Sequence, residues 1–331
     1  MLRTCATLAT LAAVAACLSA GPVAAQGDAK FPSRAVRLLI PYAPGGATDI
    51  VARLVGARLS ETWGQPVLVE NRPGGSGAIA LEATARAVPD GYTLMVGNVS
   101  TNAITPVAFD QQLNVKPLKE LVPVAMVVEI PHIVAAAPSL PANSLAELIA
   151  YAKANPGKLN YASAGNGSYP HLDMVNFARR AGFEAVHVPY KGGASQMLTS
   201  VSTGETQMVF VNLASALPFV KSGRLKVLAT TWPERLAELP NVPTLRESGF
   251  PDVGTNAWNG FFAPRGTPRP VLLHLNKALY DALDRQEIRD AYAKQLMMAP
   301  PRRSLEELND YVNAEAAKWQ RIIAEGQVKV E

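Results

Sequence analysis

The chain of 331 residues has only two cysteines, Cys5 and Cys17, both near its N-terminus. Beyond them there is no thiol for a disulfide, a nucleophile or a cysteine metal site, so the fold must rest on a core that needs no staples. Charge is also sparse. Asp, Glu, Lys and Arg make 18% of the residues, and the formal net charge is +4. No block of Lys and Arg with interleaved aromatics occurs, so no nucleic-acid footprint is present. Past the N-terminal segment, no apolar run reaches the ~18 residues that a bilayer span needs. The patterns HExxH, GxSxG, GxGxxG and Gly-Lys-Ser/Thr are missing, and His132, His171, His187 and His274 have no metal-ligand spacing. These absences remove the common hydrolase, nucleotide and metal fingerprints. No metal and no cofactor is expected.

What is present starts with a leader. Arg3 is the only charge in residues 1–25, and residues 4–20 are small and apolar. Val23-Ala24-Ala25 then supplies the small residues of a cleavage site, so residues 1–25 are expected to be a secretory signal peptide. Val14-Ala15-Ala16-Cys17 leaves lipid anchoring at Cys17 open. Either route puts the folded part outside the cytoplasmic membrane, and a periplasmic location is expected. Apolar residues make 48% of the chain, too many for a disordered one. The length calls for two lobes rather than one small core.

From Val36 onward a strand, a glycine turn and a helix alternate. Strands are expected over 36–42, 66–70 and 92–96, with helices following Pro44-Gly45-Gly46 and Arg72-Pro73-Gly74-Gly75-Ser76-Gly77. This is a βαβαβ unit, which predicts parallel strands and right-handed crossovers. A second unit begins near residue 130. Ser144 and Glu147 form a capping-box signature for a helix over 144–155. Strands are expected over 159–163, 185–188, 207–211 and 225–230, and helices over 171–181 and within 192–203. Residues 239–251 have no periodicity. A return strand over 260–263 and helices over 270–285 and 305–325 follow. The expected fold class is α/β, in two lobes. Each lobe is a mostly parallel sheet flanked by helices. Lobe one comprises residues 30–128 plus 255–331, and lobe two comprises residues 129–254. Two crossings between lobes imply a hinge and a cleft.

Three loops are placed to carry chemistry. Tyr42-Ala43-Pro44-Gly45-Gly46-Ala47-Thr48-Asp49 follows the first strand and opens a helix, the position where ligands bind in open α/β sheets. The first amides of a helix lack internal partners and carry positive potential. They can hold an anion without Lys or Arg. A plain turn with Thr48 or Asp49 as a cap is the alternative. Ser163-Ala164-Gly165-Asn166-Gly167-Ser168-Tyr169-Pro170-His171 has the same context in the second unit. His171 has no acidic partner at readable spacing, so it is not assigned to catalysis. Tyr190-Lys191-Gly192 closes another strand, with Tyr190 expected in the cleft and Lys191 adding positive potential or simply solvated. Ser100 or Thr101 and, more weakly, Asn212 complete the candidate set.

The segments that carry a family likeness are Phe31-Pro32, Pro44-Gly45-Gly46-Ala47-Thr48-Asp49, Val69-Glu70-Asn71-Arg72-Pro73-Gly74, Pro89-Asp90-Gly91-Tyr92-Thr93-Leu94, Gly165-Asn166-Gly167-Ser168 with His171-Leu172, Val188-Pro189-Tyr190-Lys191-Gly192 and Ala263-Pro264-Arg265-Gly266. In this order and spacing the chain resembles the periplasmic substrate-binding receptors of tripartite tricarboxylate transporters over residues 31–327. The resemblance implies a two-lobe "Venus flytrap" of the periplasmic-binding-protein type, a non-enzymatic receptor that captures a small organic carboxylate between its lobes and passes it to a membrane permease. It also implies that the Tyr42 and Ser163 loops hold the carboxylate, largely through amides and ordered water. A ligand-sensing subunit for a signalling system uses the same trap, and an exported α/β hydrolase is a further alternative. The expected state is a monomer. Two departures from the family pattern stand out. Val211 replaces an acidic residue before Asn212, and Tyr169-Pro170 replaces a small polar pair. A bulky ring at the pocket rim would favour an apolar or aromatic acid.

Overall fold

Short apolar runs build two sheets. The computed structural model describes residues 31–190 and 193–328. The first unit is β1 (Val36–Ile40), α1 (Ala47–Trp63), β2 (Val67–Asn71), α2 (Ala78–Ala85) and β3 (Thr93–Asn98). A π-helical turn, Ser100–Ile104, and the short helices α3 (Thr105–Ala108) and α4 (Pro117–Glu120) lead into β4 (Leu121–Ile130). Pro131 alone separates β4 from β5 (His132–Ala136). The second unit is α5 (Leu145–Ala154), β6 (Asn160–Ser163), α6 (Tyr169–Ala181), β7 (Val186–Pro189), α7 (Ala194–Thr203), β8 (Met208–Asn212), α8 (Leu213–Lys221) and β9 (Lys226–Thr230). The chain ends with β10 (Ala257–Pro264), α9 (Arg269–Leu283), α10 (Gln286–Ala293) and α11 (Leu305–Glu325).

One sheet has the order β2-β1-β3-β10-β4 and the other β7-β6-β8-β5-β9. The two orders match position for position, so each lobe is a copy of one layout. In each, three strands pair in parallel and the fourth, β10 or β5, runs against its neighbours. The sheets are therefore mixed, because the chain exchanges a reversed strand at each passage between lobes. These passages place the loops. His132, the first residue of β5, lies opposite Asn212 at the end of β8. Asn98, at the end of β3, lies opposite Asn259, near the start of β10. The carboxyl ends of the parallel strands thus border the crossings in both sheets. These are the edges where ligands bind in open α/β sheets.

Side chains alternate across each sheet as the pleat requires. Along β8, Met208 and Phe210 enter the core with Phe177 and Tyr161, while Val209 and Val211 enter the opposite core with Met197 and Leu213. Lobe one packs Met95, Trp258, Phe262 and Trp319 around α2 and α11, and Leu172 of α6 joins that cluster from the other lobe. Some local expectations shift. β4 continues through Pro123, which therefore does not mark a boundary, and the π turn has no signature in the sequence. Helix α6 starts at Tyr169 rather than 171, since the fixed φ of Pro170 suits a first turn. Ser144 accepts from the Glu147 amide, but the Glu147 carboxylate takes the Asn143 amide instead of that of Ser144, so the expected box is half formed. A complete box occurs at Ser304 and Glu307, ahead of α11. The proposed signal peptide and Cys17 lie outside the described residues, as do Lys191 and Gly192.

Gly97 sits under the π turn, where a Cβ would stand 1.8 Å from Asn102 Oδ1 and 3.1 Å from Thr101 Oγ1. Gly97→Ala should therefore lower stability by about 1–3 kcal/mol in urea denaturation, through displacement of the buried Asn102.

Candidate ligand-binding site

The first turn of α1 is open. Gly46 caps it with extended backbone (φ −79°, ψ 167°), and no side chain fills the cap. The first helical bond is Ile50 N–H to the Gly46 carbonyl at 3.0 Å. The amides of Gly46, Ala47, Thr48 and Asp49 therefore have no acceptor within the helix. Gly45 and Gly46 are exposed, and a Cβ on either would meet nothing within 4 Å. Asp49 does not point into this opening. Its side chain is 4% exposed, and its carboxylate accepts from Gly45 N–H (2.9 Å), Arg53 Nε (3.0 Å) and Asn71 Nδ2 (2.9 Å). Burial pushes its pKa up, but the bonds from Arg53, Gly45 and Asn71 together hold it below the usual carboxylate range. Asp49 ties the loop to the helix and to β2. Thr48 is buried and lies 3.5 Å from Asn98 Nδ2, and the Tyr42 hydroxyl donates to Asn98 Oδ1 at 2.8 Å.

The second loop follows the same plan with different atoms. Gly167 N–H donates to His171 Nδ1 at 3.1 Å, so that nitrogen is an acceptor. Gly165 N–H is taken by Ser163 Oγ, and Ser168 N–H by the Gly165 carbonyl. Those three amides hold the turn together. Asn166 is exposed at its apex, and the amides of Tyr169 and His171 open toward the front of α6. Behind the turn, His171 stacks on His187 with centroids 4.0 Å apart, and Tyr161 stacks on His187 at 5.1 Å. Burial, then the neighbouring His187, pushes His171 down to about 4, and burial lowers His187 as well. Two neutral rings can stack this closely where two imidazolium ions could not. Ser163 Oγ lies 2.5 Å from His187 Nε2. This resembles a nucleophile–base pair, yet Ser163 is 0% exposed and its hydroxyl serves the turn.

The two loops come together through Tyr169. Its ring stacks on His132 at 4.3 Å, and burial pushes its phenol up to about 12 against the opposing effect of Asn212, while its own charge raises the phenol of Tyr42. Tyr42 and Thr48 are thus joined through Asn98 within lobe one, with Tyr169 of lobe two acting on Tyr42 electrostatically. The Tyr169 ring is stacked on His132 rather than free. Asn212 also caps α8 by accepting from Ser215 N–H at 2.8 Å. Tyr190 is turned away, with its hydroxyl 2.6 Å from Ser200 Oγ and its ring against the α7–α8 core. Val211 packs into that same core and contributes no cleft wall. Sequence reasoning missed Asn71, Asn98 and His187. Each ends or crosses a parallel strand beside a candidate loop, which is the one signal that would have found them.

The model of the tripartite tricarboxylate transporter receptor family matches residues 51–328. The chain belongs to that family. It is 37% identical over 282 residues to a UPF0065 protein of Bordetella pertussis, covering 85% of this chain and 84% of that one. The Rhodopseudomonas palustris protein Rpa4515, solved with adipate, superposes with a TM-score of 0.81 at 32% identity, covering 90% of this chain and 99% of the other. MatC from the same organism, solved with bound malate, gives a TM-score of 0.78 at 34% identity, covering 88% and 100%. The receptor is therefore a periplasmic solute-binding protein of the two-lobe type and not an enzyme. Among the described residues, no helix is long and apolar enough to cross a membrane.

Asp49→Ala removes three bonds to a buried carboxylate. It should lower stability by about 1–3 kcal/mol, measured by urea denaturation. The histidine stack makes a second prediction. The unfolded chain takes up protons below pH ~6.5, while folded His171 does so only near pH 4. The stability it contributes is present above pH ~6.5 and is lost as pH falls toward 4. The loss is on the order of 3 kcal/mol and should be visible in unfolding curves between pH 7.5 and 4.5.

Proposed function

We propose that this receptor captures a small organic carboxylate between the Tyr42 and Ser163 loops and delivers it to the membrane permease of a tripartite tricarboxylate-type transporter. The observation that carries this reading is the pair of open helix fronts, α1 in one lobe and α6 in the other, brought together at Tyr42 and Tyr169. In this reading the amides of Gly46, Ala47 and Thr48 and the hydroxyl of Ser100 meet the anion from lobe one. The amides of Tyr169 and His171, with Asn166 and Asn212, meet it from lobe two. Gly165, Gly167, Ser163 and Ser168 shape the turn. Each helix front offers about 0.3–1 kcal/mol to an anion before its hydrogen bonds are counted. The relatives solved with adipate and with malate support a carboxylate as the ligand class.

The direct experiment is native mass spectrometry of freshly purified protein, followed by calorimetry with malate, adipate, citrate and benzoate. A retained acid, or tight binding of one of these, is the expected result. If no acid is retained and all four fail to bind, the carboxylate reading fails. The geometry also predicts the effect of Gly46→Val. Its φ suits a β-branched residue and the space around it is open, so the fold should persist with at most about 1 kcal/mol lost in capping. The new side chain would stand where the anion approaches. Affinity should fall about tenfold or more, some 1.4 kcal/mol.

A further inference from the structure

The passages between the sheets hold a cluster of buried polar groups that carboxylate capture does not use. Asp173, on α6, is 0% exposed. Its Oδ1 accepts from Thr255 Oγ1 at 3.2 Å. Thr255 lies on the return passage just before β10, and its Oγ1 accepts in turn from Lys318 Nζ of α11 at 3.1 Å. Lys318 also donates to the Gly254 carbonyl. Among the described residues, Asp173 Oδ2 has no hydrogen-bond partner, and neither ring nitrogen of His132 has one. His132 Nδ1 stands 4.0 Å from that oxygen. His132 directly follows Pro131 at the outward passage, and its ring lies against Tyr169. One carboxyl group therefore touches both passages, reaches a helix of lobe one, and sits four residues from Tyr169. Arg179 of α6 and Glu325 of α11 add an ion pair farther along the same two helices.

We propose that Asp173 is a titrating positioning residue of the hinge, whose neutral form holds the lobes in this arrangement and whose ionisation loosens it, so that ligand capture takes up a proton. A buried carboxylate needs partners on both oxygens, and here one oxygen has none. The neutral acid carries its proton on Oδ2, facing an imidazole nitrogen able to accept it. A modest shift brings the two within bonding distance. The facing groups fix where the proton resides. They are His132 from β5, Thr255 from the passage, Lys318 and Glu315 from α11, and Tyr169 on α6 itself. Burial, then Lys318, keeps His132 neutral down to about 3. Burial raises Asp173 to about 7 against the opposing pull of Lys318 and Thr255, with Glu315 adding to the rise. The proton therefore belongs to Asp173 and not to the ring.

An arrangement that hydrates Asp173 returns it toward the ordinary carboxylate value near 3.8. Protonation thus favours the packed hinge, and that preference is lost as pH rises through about 7. For the carboxylate receptor proposed above, affinity would fall by up to about tenfold per pH unit as pH rises toward that midpoint and would level off above it. This last consequence rests on the carboxylate reading, whereas the hinge titration itself is read on ligand-free protein.

Carbon-13 NMR of Asp-labelled, ligand-free protein should show one carboxyl titrating near pH 7 that is missing in Asp173→Asn. Small-angle scattering from pH 5.5 to 8.5 should show the radius of gyration rising through the same midpoint in the wild type and staying at its low value in Asp173→Asn. Lys318→Met removes the charge that favours ionisation, so both midpoints should move to higher pH, a shift that a merely structural role would not produce. A carboxyl for Asp173 that titrates near 4, or an expansion with pH that persists unchanged in Asp173→Asn, overturns the proposal. Should Asp173→Asn fail to fold, the wild-type titration and the Lys318→Met midpoint decide alone. Failure of every acid to bind would sink the carboxylate reading and leave these readouts unaffected.

Discussion

An anion held by backbone amides tolerates no unopposed carboxylate beside it, yet Asp49 lies in the first turn of α1. At ~5 Å and an effective dielectric constant of ~20, two like charges repel by about 3 kcal/mol, more than the 0.3–1 kcal/mol that a helix front offers. The site depends on how that charge is managed. Arg53 is placed four residues along the same helix, and Asn71 ends the neighbouring strand. Together with Gly45 they occupy the carboxylate and turn it inward. Asp49 remains ionised at neutral pH, stabilises the helix front through its own charge, and leaves the amides ahead of it facing outward.

The two lobes solve one geometric problem in the same way. In each, the third helical residue reaches back to the amide of the residue just before the N-cap. Asp49 takes Gly45, and His171 takes Gly167. Each bond fixes a glycine with positive φ (91° and 70°) in a turn that would otherwise be loose. The chemistry differs by lobe. Lobe one uses an ion and must cancel its charge. Lobe two uses a neutral imidazole, kept neutral by burial and by the ring of His187 stacked against it. The second arrangement has no net charge to screen, but it fails once acid protonates Nδ1, the atom that accepts from Gly167.

Much of this was legible in the sequence, and what was hidden has a common cause. The strand–glycine–helix rhythm marked both units because the turns are cut by glycine and proline at Pro44-Gly45-Gly46 and Gly165-Asn166-Gly167. The run from 121 to 136 carries no glycine, and its prolines fall inside a strand (Pro123) as well as between strands (Pro131), so its two strands, which belong to different sheets, read as one apolar stretch. The candidate loops could be named because a helix front depends on local backbone. The roles of their side chains could not, because these depend on partners far away in the chain. Asp49 is set by Asn71, Tyr169 by His132 and Asn212, and Tyr190 by Ser200. Val211 follows the same logic. Its face of β8 is decided by the pleat and by α7 and α8 behind it, and no residue next to it in sequence reports that.

The contact between lobes is built so that parting them strands few polar groups at the cleft. The Tyr42 hydroxyl donates to Asn98 within lobe one, and Asn212, the polar neighbour that lowers the Tyr169 phenol, lies within lobe two. Each phenol keeps its polar neighbour if the lobes separate, so opening exposes mainly ring surface. That contrasts with the passages, where Asp173 and His132 are buried without full pairing. A cleft whose polar groups are satisfied lobe by lobe moves at little energetic cost. A hinge with an unsatisfied acid resists or yields according to that acid's charge. The placement of the two kinds of contact assigns free motion to the ligand side and control of that motion to the side of the crossings.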